Sequence, residues 1–184
     1  IKGGSNRYVE KIITDFKDKI KLSTPVTKIK RKGNAVTIRF GLDHQEESFD
    51  SVVLATHSNQ SLRLLEEPTK KEKEILSSIP YQKNNAILHF DDSILPKRKL
   101  AWSSWNYLLD HGKDDPVALT YNMNILQGLD STRTFCVTLN NIDNIDKNKI
   151  IKHLSYEHPF FTLDGIEAQK RKREISGINN TYYC

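Results

Sequence analysis

The chain lacks the short motifs that define several large enzyme classes. Its 184 residues contain no Gly-x-Gly-x-x-Gly, P-loop, His-Glu-x-x-His or Gly-x-Ser-x-Gly pattern. It has only two cysteines, Cys136 and Cys184, and neither lies in a metal-ligand spacing. The six histidines are scattered, with no pair at helical ligand spacing. We therefore expect no metal site, and no phosphate-binding or serine-hydrolase chemistry of the kinds that these motifs support.

Long apolar runs are also missing. Stretches such as Val52–Ala55 are far too short to cross a bilayer, so no transmembrane segment is predicted. The first twenty residues carry several charges and no continuous apolar stretch, so we predict no signal peptide. Cys136 lies in an apolar run and is predicted to be a buried strand residue. This use of cysteine favours a reducing compartment, and a cytoplasmic location is the expectation.

The chain has only a small excess of charge of one sign. Lysine and arginine total 28 against 23 acidic residues, a formal net charge of +5. The basic runs Lys97–Lys99 and Lys170–Arg173 are short, as on ordinary solvated loops and helix ends, and we predict no nucleic-acid partner. A non-enzymatic module that binds anionic surfaces stays open as an alternative, and steep salt dependence of binding would favour it.

The first half of the chain predicts one helix followed by strands. Apolar residues from Tyr8 to Ile20 recur at helical steps, which predicts a helix capped by Ser5 with a core-facing stripe. Leu22–Lys30 is a predicted strand that either starts at Pro25 or lies at a sheet edge, because proline lacks a donor. Ala35–Phe40 alternates as a half-buried strand does. Phe49–Thr56 is nearly continuously apolar, which predicts a strand covered on both faces.

The second half mixes helices and strands. Thr69 and Glu72 form a capping-box pair before a predicted helix. Asp146 is predicted to cap a further helix that bears Ile150, Ile151 and Leu154. The other predicted elements are strands at Asn85–Phe90, Val117–Met123, Phe135–Leu139 and Thr181–Cys184, and a short helix within Pro159–Arg173. The chain opens at Ile1 and stops in a run of strand-forming residues, so we expect an internal piece of a longer protein.

Two groups of residues are candidates for binding. His57 directly follows an apolar strand, and ligands bind beyond the carboxyl ends of such strands in sheets with crossover helices. Aromatic residues with nearby amides could line an apolar pocket, although the residues alone favour ordinary core and rim packing. The aromatic residues are Trp102, Trp105, Tyr107 and Tyr121, and the amides are Asn106, Asn122 and Gln127. His89 and His153 alternate with apolar residues and are interpreted as structural.

Four stretches resemble the flavin-containing amine oxidase superfamily, and most closely its bacterial branch of predicted NAD/FAD-binding proteins. They are Gly3-Gly4-Ser5 before a helix, Ser23–Ile29 (STPVTKI), Phe49–His57 (FDSVVLATH), and Ala101–Tyr107 (AWSSWNY) followed by Thr120–Asn124 (TYNMN) and Leu126-Gln127. The first three are typical of the whole superfamily, and the Trp-Ser-Ser-Trp-Asn-Tyr stretch is more specific to the branch.

The resemblance implies an α+β chain derived from an α/β-type parent. Residues 1–58 would belong to the FAD-binding domain, without its N-terminal Rossmann unit. Residues 59–173 would be a substrate-binding domain with a mixed sheet and flanking helices. Residues 174–184 would return to the FAD-binding domain as a strand.

The resemblance also implies an FAD-dependent oxidoreductase that transfers hydride from a small or apolar substrate to the flavin. Gly3, Gly4, Val26, Ala55, Thr56 and His57 would contact FAD, with Trp102, Trp105, Tyr107, Tyr121, Asn122 and Gln127 around the substrate. No catalytic residue is assigned, since we find no equivalent of the lysine that holds a water near flavin N5 in several members. A desaturase or isomerase acting on a lipid-like substrate is the alternative. Because the Gly-x-Gly-x-x-Gly fingerprint is absent, we expect this chain alone to hold FAD weakly or not at all, and to be inactive.

Overall fold

The computed structural model of the chain describes residues 4–109 and 118–184. The chain divides into two compact units. The first comprises Ile1–Asp18 and Lys83–Glu157, and the second comprises Lys19–Gln82 and His158–Cys184. These boundaries differ from the predicted domain boundaries at residues 58 and 173.

Helices and strands alternate irregularly along the chain. The helices are α1 Asn6–Ile12, α2 Ser58–Leu64, α3 Lys70–Ser77, α4 Met123–Gln127 and α5 Leu163–Lys170. The strands are β1 Val26–Lys32, β2 Ala35–Phe40, β3 Gln45–Phe49, β4 Val52–Leu54, β5 Tyr81–His89, β6 Trp105–Leu108, β7 Ala118–Asn122, β8 Cys136–Leu139, β9 Ile150–Pro159 and β10 Thr181–Tyr183. The mixed α and β content agrees with the predicted fold class.

The second unit contains two small sheets around one apolar core. Strands β1, β2 and β3 form an antiparallel sheet in that order, and β4 pairs in parallel with β10. Gly33 and Gly41 have positive φ at the turns around β2, where glycine is the residue without steric cost. The core draws side chains from both sheets, from helices α3 and α5, and from two residues outside the helices and strands: Ile29, Val36, Val52, Leu54, Leu65, Ile75, Leu76, Ala168, Ile175 and Tyr183.

Strand β4 differs from its prediction. Phe49 ends β3, and β4 spans only Val52–Leu54. Val52 and Leu54 are buried, but the side chain of Val53 between them is 61% exposed. The prediction that this strand is covered on both faces is therefore wrong, because only one face of the β4–β10 pair packs on the core.

The first unit is built mainly on a five-stranded sheet with the order β6-β7-β8-β5-β9. Strands β6, β7, β8 and β5 are antiparallel neighbours in regular register. The predicted helix after Asp146 is wrong. Asp146 caps a single 3-10 turn, and Ile150, Ile151 and Leu154 lie on β9, an edge strand next to β5.

Helix α1 does not form the predicted core stripe. It ends at Ile12, and Tyr8, Val9 and Ile12 are all exposed. Ser5 precedes the helix in an α-region backbone conformation, and its side chain makes no capping hydrogen bond. The capping box at α3 is confirmed, since Thr69 accepts from the Glu72 amide and Glu72 accepts from the Thr69 amide. Within the described residues, every helix is too short or too polar to cross a bilayer.

Candidate functional site

One face of the five-stranded sheet carries the predicted aromatic residues. Trp105 lies opposite Tyr121, and Tyr107 lies opposite Leu119, so these four side chains share a face. We call this set the aromatic face. The rings of Trp105 and Tyr121 meet edge to face, with centroids 5.3 Å apart and planes at 76°. Trp105 is 52% exposed and Tyr107 is 59% exposed. An open aromatic surface on a rigid sheet is suited to packing against an apolar ligand.

The opposite face of the same sheet is buried and polar. His89 is fully buried, and its Nε2 lies 2.8 Å from the hydroxyl of Thr138, which lies 2.9 Å from the hydroxyl of Thr120. The backbone N–H of Asp91 donates to Nδ1 of His89 at 3.1 Å. Burial lowers the pKa of His89, although the charge of Asp91 opposes this shift. The imidazole is therefore neutral and satisfied at both nitrogens, which agrees with the structural role predicted for it.

Asn122 lies on that buried face, away from the aromatic face. Its Oδ1 accepts from the amide of Ile125 at 3.2 Å and so caps α4. Its Nδ2 is buried and has no hydrogen-bond partner among the residues that the structure describes. The structure therefore does not bring Asn122 together with Trp105 and Tyr121.

The other two predicted pocket residues lie outside the strands. Nε1 of Trp102 donates to the carbonyl of Pro96 at 2.8 Å, and the ammonium of Lys99 lies over its ring. Gln127 is exposed at the last residue of α4. Asn106, which the sequence suggested as a polar neighbour, bonds to the backbone of Ser103 and Thr120. The pocket roles of Trp102 and Gln127 stay predictions.

The carboxyl end of β4 in the second unit carries three of the predicted FAD contacts. Ala55 and Thr56 are exposed, and the Thr56 hydroxyl lies 2.8 Å from that of Ser61. The His57 ring stacks on Tyr81 with centroids 4.7 Å apart. Its Nδ1 is buried and lacks a hydrogen-bond partner within residues 4–109 and 118–184. A fixed imidazole with a free ring nitrogen can still accept or donate one hydrogen bond.

The other predicted FAD contacts, Val26, Gly3 and Gly4, belong to other segments of the chain. Val26 begins β1 opposite Phe40, at a register shift, and its side chain is partly exposed. Gly4 belongs to the first unit and has a positive φ of 82°, with open space where a Cβ would stand. Gly3 lies outside the described residues. Ala55, Thr56 and His57 are consecutive and lie together at the end of β4.

A buried ionic group in the second unit was not found by sequence analysis. Glu72 is 1% exposed and accepts two hydrogen bonds from the guanidinium of Arg31, at 2.5 and 3.0 Å. The hydroxyl of Tyr183 and the amide of Thr69 also donate to it, at 2.6 and 2.7 Å. We call Arg31, Glu72 and Tyr183 the buried ionic triad. Burial alone would raise the pKa of Glu72, but these donors lower it to about 2.

A second buried carboxylate anchors the loops of the first unit. Asp91 is 2% exposed and accepts from Lys149 at 3.0 Å, from the Asp146 amide at 2.9 Å, and from both the amide and the hydroxyl of Ser93. Burial opposes ionisation, but these donors hold the pKa of Asp91 well below its usual range. Cys136 is also buried, as predicted, and burial raises the pKa of its thiol to about 12. Asp91 is structural, and Cys136 is not an activated nucleophile.

Metal ligation has no candidate in the described part of the chain. Residues 4–109 and 118–184 contain no group of three or more histidine, cysteine, aspartate or glutamate side chains arranged to hold an ion.

Solved structures of two oxidases and of an isomerase resemble this chain over 88–99% of its length. Cyclohexylamine oxidase from Brevibacterium oxydans IH-35A matches with a TM-score of 0.61 and 12% identity, covering 99% of this chain and 47% of that one. Wild-type putrescine oxidase bound to putrescine matches with a TM-score of 0.62 and 11% identity, covering 99% and 47%. A fatty acid isomerase from P. acnes that produces CLA matches with a TM-score of 0.57 and 16% identity, covering 88% and 42%.

The chain thus spans less than half the length of these solved structures. At such identities the similarity shows the fold alone. A comparison with curated proteins gives no match. The sequence model of one family, described as flavin containing amine oxidoreductase, matches residues 1–135 of the 184. The chain belongs to the flavin-containing amine oxidoreductase family.

Proposed function

We propose that the chain supplies the substrate-facing sheet and part of the FAD scaffold of an FAD-dependent oxidoreductase. The reaction is the two-electron oxidation of a small or apolar substrate. The observation that carries the proposal is the open aromatic face of Trp105, Tyr107, Leu119 and Tyr121 within a chain of this family. FAD, when bound, supplies the hydride acceptor, and the protein supplies binding, orientation and exclusion of water.

The second unit offers a partial fit to the flavin cofactor. The exposed backbone at Ala55 and Thr56 follows a strand that pairs in parallel with β10, and such strand ends are where cofactors bind in open α/β sheets. The buried Nδ1 of His57, without a partner among the described residues, is the polar atom that such a contact would satisfy. We therefore assign Ala55, Thr56 and His57 as the residues that hold FAD, while Val26, Gly3 and Gly4 remain predicted contacts.

The aromatic face would orient the substrate. Trp105 and Tyr121 are held edge to face on adjacent antiparallel strands, so they form a rigid wall at small entropic cost. A wall of this kind desolvates an apolar substrate and fixes the carbon that loses hydride. The tyrosine hydroxyls would give the wall polar positions without charge.

The FAD contact is expected to be too small to hold the cofactor in this chain alone. The sequence lacks the strand, glycine loop and helix N-terminus that neutralise a pyrophosphate. After incubation with FAD and gel filtration, the 184-residue chain should therefore lose its flavin absorbance. Comigration of chain and flavin at equal molar amounts would overturn this prediction.

The proposed reaction is tested by anaerobic mixing of a panel of amines with an FAD-loaded protein that carries this chain. Loss of the oxidised-flavin absorption with one amine, and release of hydrogen peroxide when oxygen is admitted, is the expected result. An enzyme that binds flavin but is reduced by none of the amines would remove amine oxidation from the proposal.

A desaturase or isomerase acting on a lipid-like substrate is the second candidate. The fold similarity to a fatty acid isomerase and the apolar character of the aromatic face favour it. It is distinguished by its products, because isomerisation consumes no oxygen and forms no peroxide.

A non-enzymatic module for anionic surfaces is less well supported. In the basic run at residues 170–173, Arg171 pairs with Glu74 and Glu174, and Lys170 pairs with Glu167. These ion pairs neutralise much of the charge that such a surface would need.

A further inference from the structure

A cavity that is open to solvent lies in the first unit, against the edge of the sheet formed by β6. Its volume is about 450 Å³, which is within the range of small-ligand pockets. Its wall is formed by β6, by Thr120 on β7 and by two loops, residues 93–97 and 141–144. We call it the loop cavity. Leu95, Pro96 and Leu108 provide its apolar part.

The hydrogen bonds beneath this cavity have a fixed direction. Because the Asp91 amide donates to Nδ1 of His89, the proton of the neutral imidazole resides on Nε2 and is donated to the Thr138 hydroxyl. The lowered pKa of His89, caused by burial, keeps the ring neutral.

Thr138 then has one hydrogen to donate. It is fully buried, and within the described residues the Thr120 hydroxyl at 2.9 Å is its remaining partner. If Thr120 donated instead, the Thr138 hydrogen would be buried without an acceptor, which is unfavourable. The chain of donors therefore ends at Thr120.

Thr120 is 5% exposed and lines the loop cavity. With its oxygen already accepting from Thr138, its hydrogen needs an acceptor, and no second protein partner exists for it among the residues the structure describes. The cavity is the place where such an acceptor can sit.

Two further donors lie on the same wall. Oδ1 of Asn141 accepts from Asn144 at 2.6 Å, so the side-chain group of Asn141 that remains is its NH₂ donor. Lys97 is the one charged residue of the wall, and it makes no ion pair within residues 4–109 and 118–184. A wall with a hydroxyl donor, an amide donor and an ammonium is complementary to an anion, and carboxylates take such charge-assisted bonds readily.

We propose that the loop cavity binds a small carboxylate with a short apolar body. The carboxylate accepts from Thr120, Asn141 and Lys97, while its body packs on Leu95, Pro96 and Leu108. His89 and Thr138 are positioning residues, since they fix the direction of the Thr120 hydroxyl without touching the ligand. The site lies within the first unit and depends on neither FAD nor the reaction proposed above.

Hexanoate is a suitable probe. Hexylamine and hexanol are the controls, since they have the same chain length but a cationic or an uncharged head group in place of the carboxylate. In a ¹⁵N-labelled chain, hexanoate should shift the backbone amide signals of Thr120 and Asn141 to saturation, whereas hexylamine and hexanol should not. Lys97→Met should weaken hexanoate binding about tenfold, which is about 1.4 kcal/mol, because one charge-assisted bond is lost. Lys152→Met, at an exposed lysine on β9, should leave it unchanged.

Thr120→Val should also weaken binding, and Thr120→Ser should restore it because the hydroxyl is retained. The Ser variant separates loss of the donor from loss of the fold. Equal binding of hexylamine, or equal affinities for the Lys97 and Lys152 variants, would overturn the proposal.

Discussion

Replacing Glu72 by Gln should lower the free energy of unfolding of the chain by about 3 kcal/mol or more, since removing one member of a buried ion pair typically costs about 3–5 kcal/mol. Glu72 is buried and accepts from Arg31, Tyr183 and Thr69. The neutral amide leaves the guanidinium of Arg31 without its counter-charge in a water-poor site. Urea unfolding followed by circular dichroism measures the loss.

Glu47→Gln is the matched control. Glu47 pairs with Lys21 at 2.6 Å, but both side chains are about half exposed, so the expected loss is under about 1 kcal/mol. Tyr183→Phe removes a single hydrogen bond to Glu72 and should cost an intermediate amount of about 1–2 kcal/mol. Equal losses for Glu72→Gln and Glu47→Gln would show that the buried ionic triad stabilises the fold no more than an exposed ion pair does.

The lowered pKa of Glu72 also predicts how the stability of the fold changes at low pH. The pKa of Glu72 falls from an ordinary 4.5 to about 2 in the folded chain. A depressed carboxyl pKa stabilises the fold above the ordinary value, and this stabilisation is lost as the pH falls from about 4.5 towards 2. The wild-type chain should therefore lose about 3 kcal/mol more across that range than Glu72→Gln does.

Replacing Trp105 or Tyr121 by Ala in an FAD-loaded protein that carries this chain should lower kcat/KM by about tenfold to a hundredfold, the effect of losing about 1.4–2.7 kcal/mol of substrate contact. Trp105 is half exposed, so its truncation leaves no large buried cavity. The cost in stability should be about 1 kcal/mol, the worth of the aromatic pair. Steady-state kinetics and thermal unfolding of the same preparations provide both values.

Phe161→Ala is the control for this prediction, because Phe161 is an exposed aromatic residue of the second unit, outside every site described above. It should leave both kcat/KM and the melting temperature unchanged. If activity and melting temperature fall together in the Trp105 and Tyr121 variants, these residues are ordinary packing residues and the aromatic face is not a substrate wall.

Local signals in the sequence were sufficient for part of the fold. The Thr69 and Glu72 capping box, the strand start after Pro25 and the buried position of Cys136 are all confirmed. Each depends on short-range chemistry, namely a side chain that bonds a nearby amide, a missing donor, or an apolar run. The aromatic pair of Trp105 and Tyr121 was placed in one group, although its cross-strand register was not predictable.

Features that depend on distant residues were missed. Ile150, Ile151 and Leu154 fit a helical spacing, but pairing of β9 with β5 at the sheet edge overrides it. The buried ionic triad joins Glu72 to Arg31, 41 residues away, and to Tyr183, 111 residues away. Glu72 was recognised only for its capping role, because no local pattern reveals that one carboxylate serves both functions.

We propose that a protein carrying this chain oxidises its substrate by hydride transfer to FAD. Anaerobic stopped-flow reduction of the FAD-loaded enzyme, with substrate deuterated at the reacting carbon, tests it most directly. The oxidised-flavin absorption should disappear in a single turnover, more slowly with the deuterated substrate, and more slowly again in Trp105→Ala. A flavin that stays oxidised while substrate is converted to an oxidised product would contradict it.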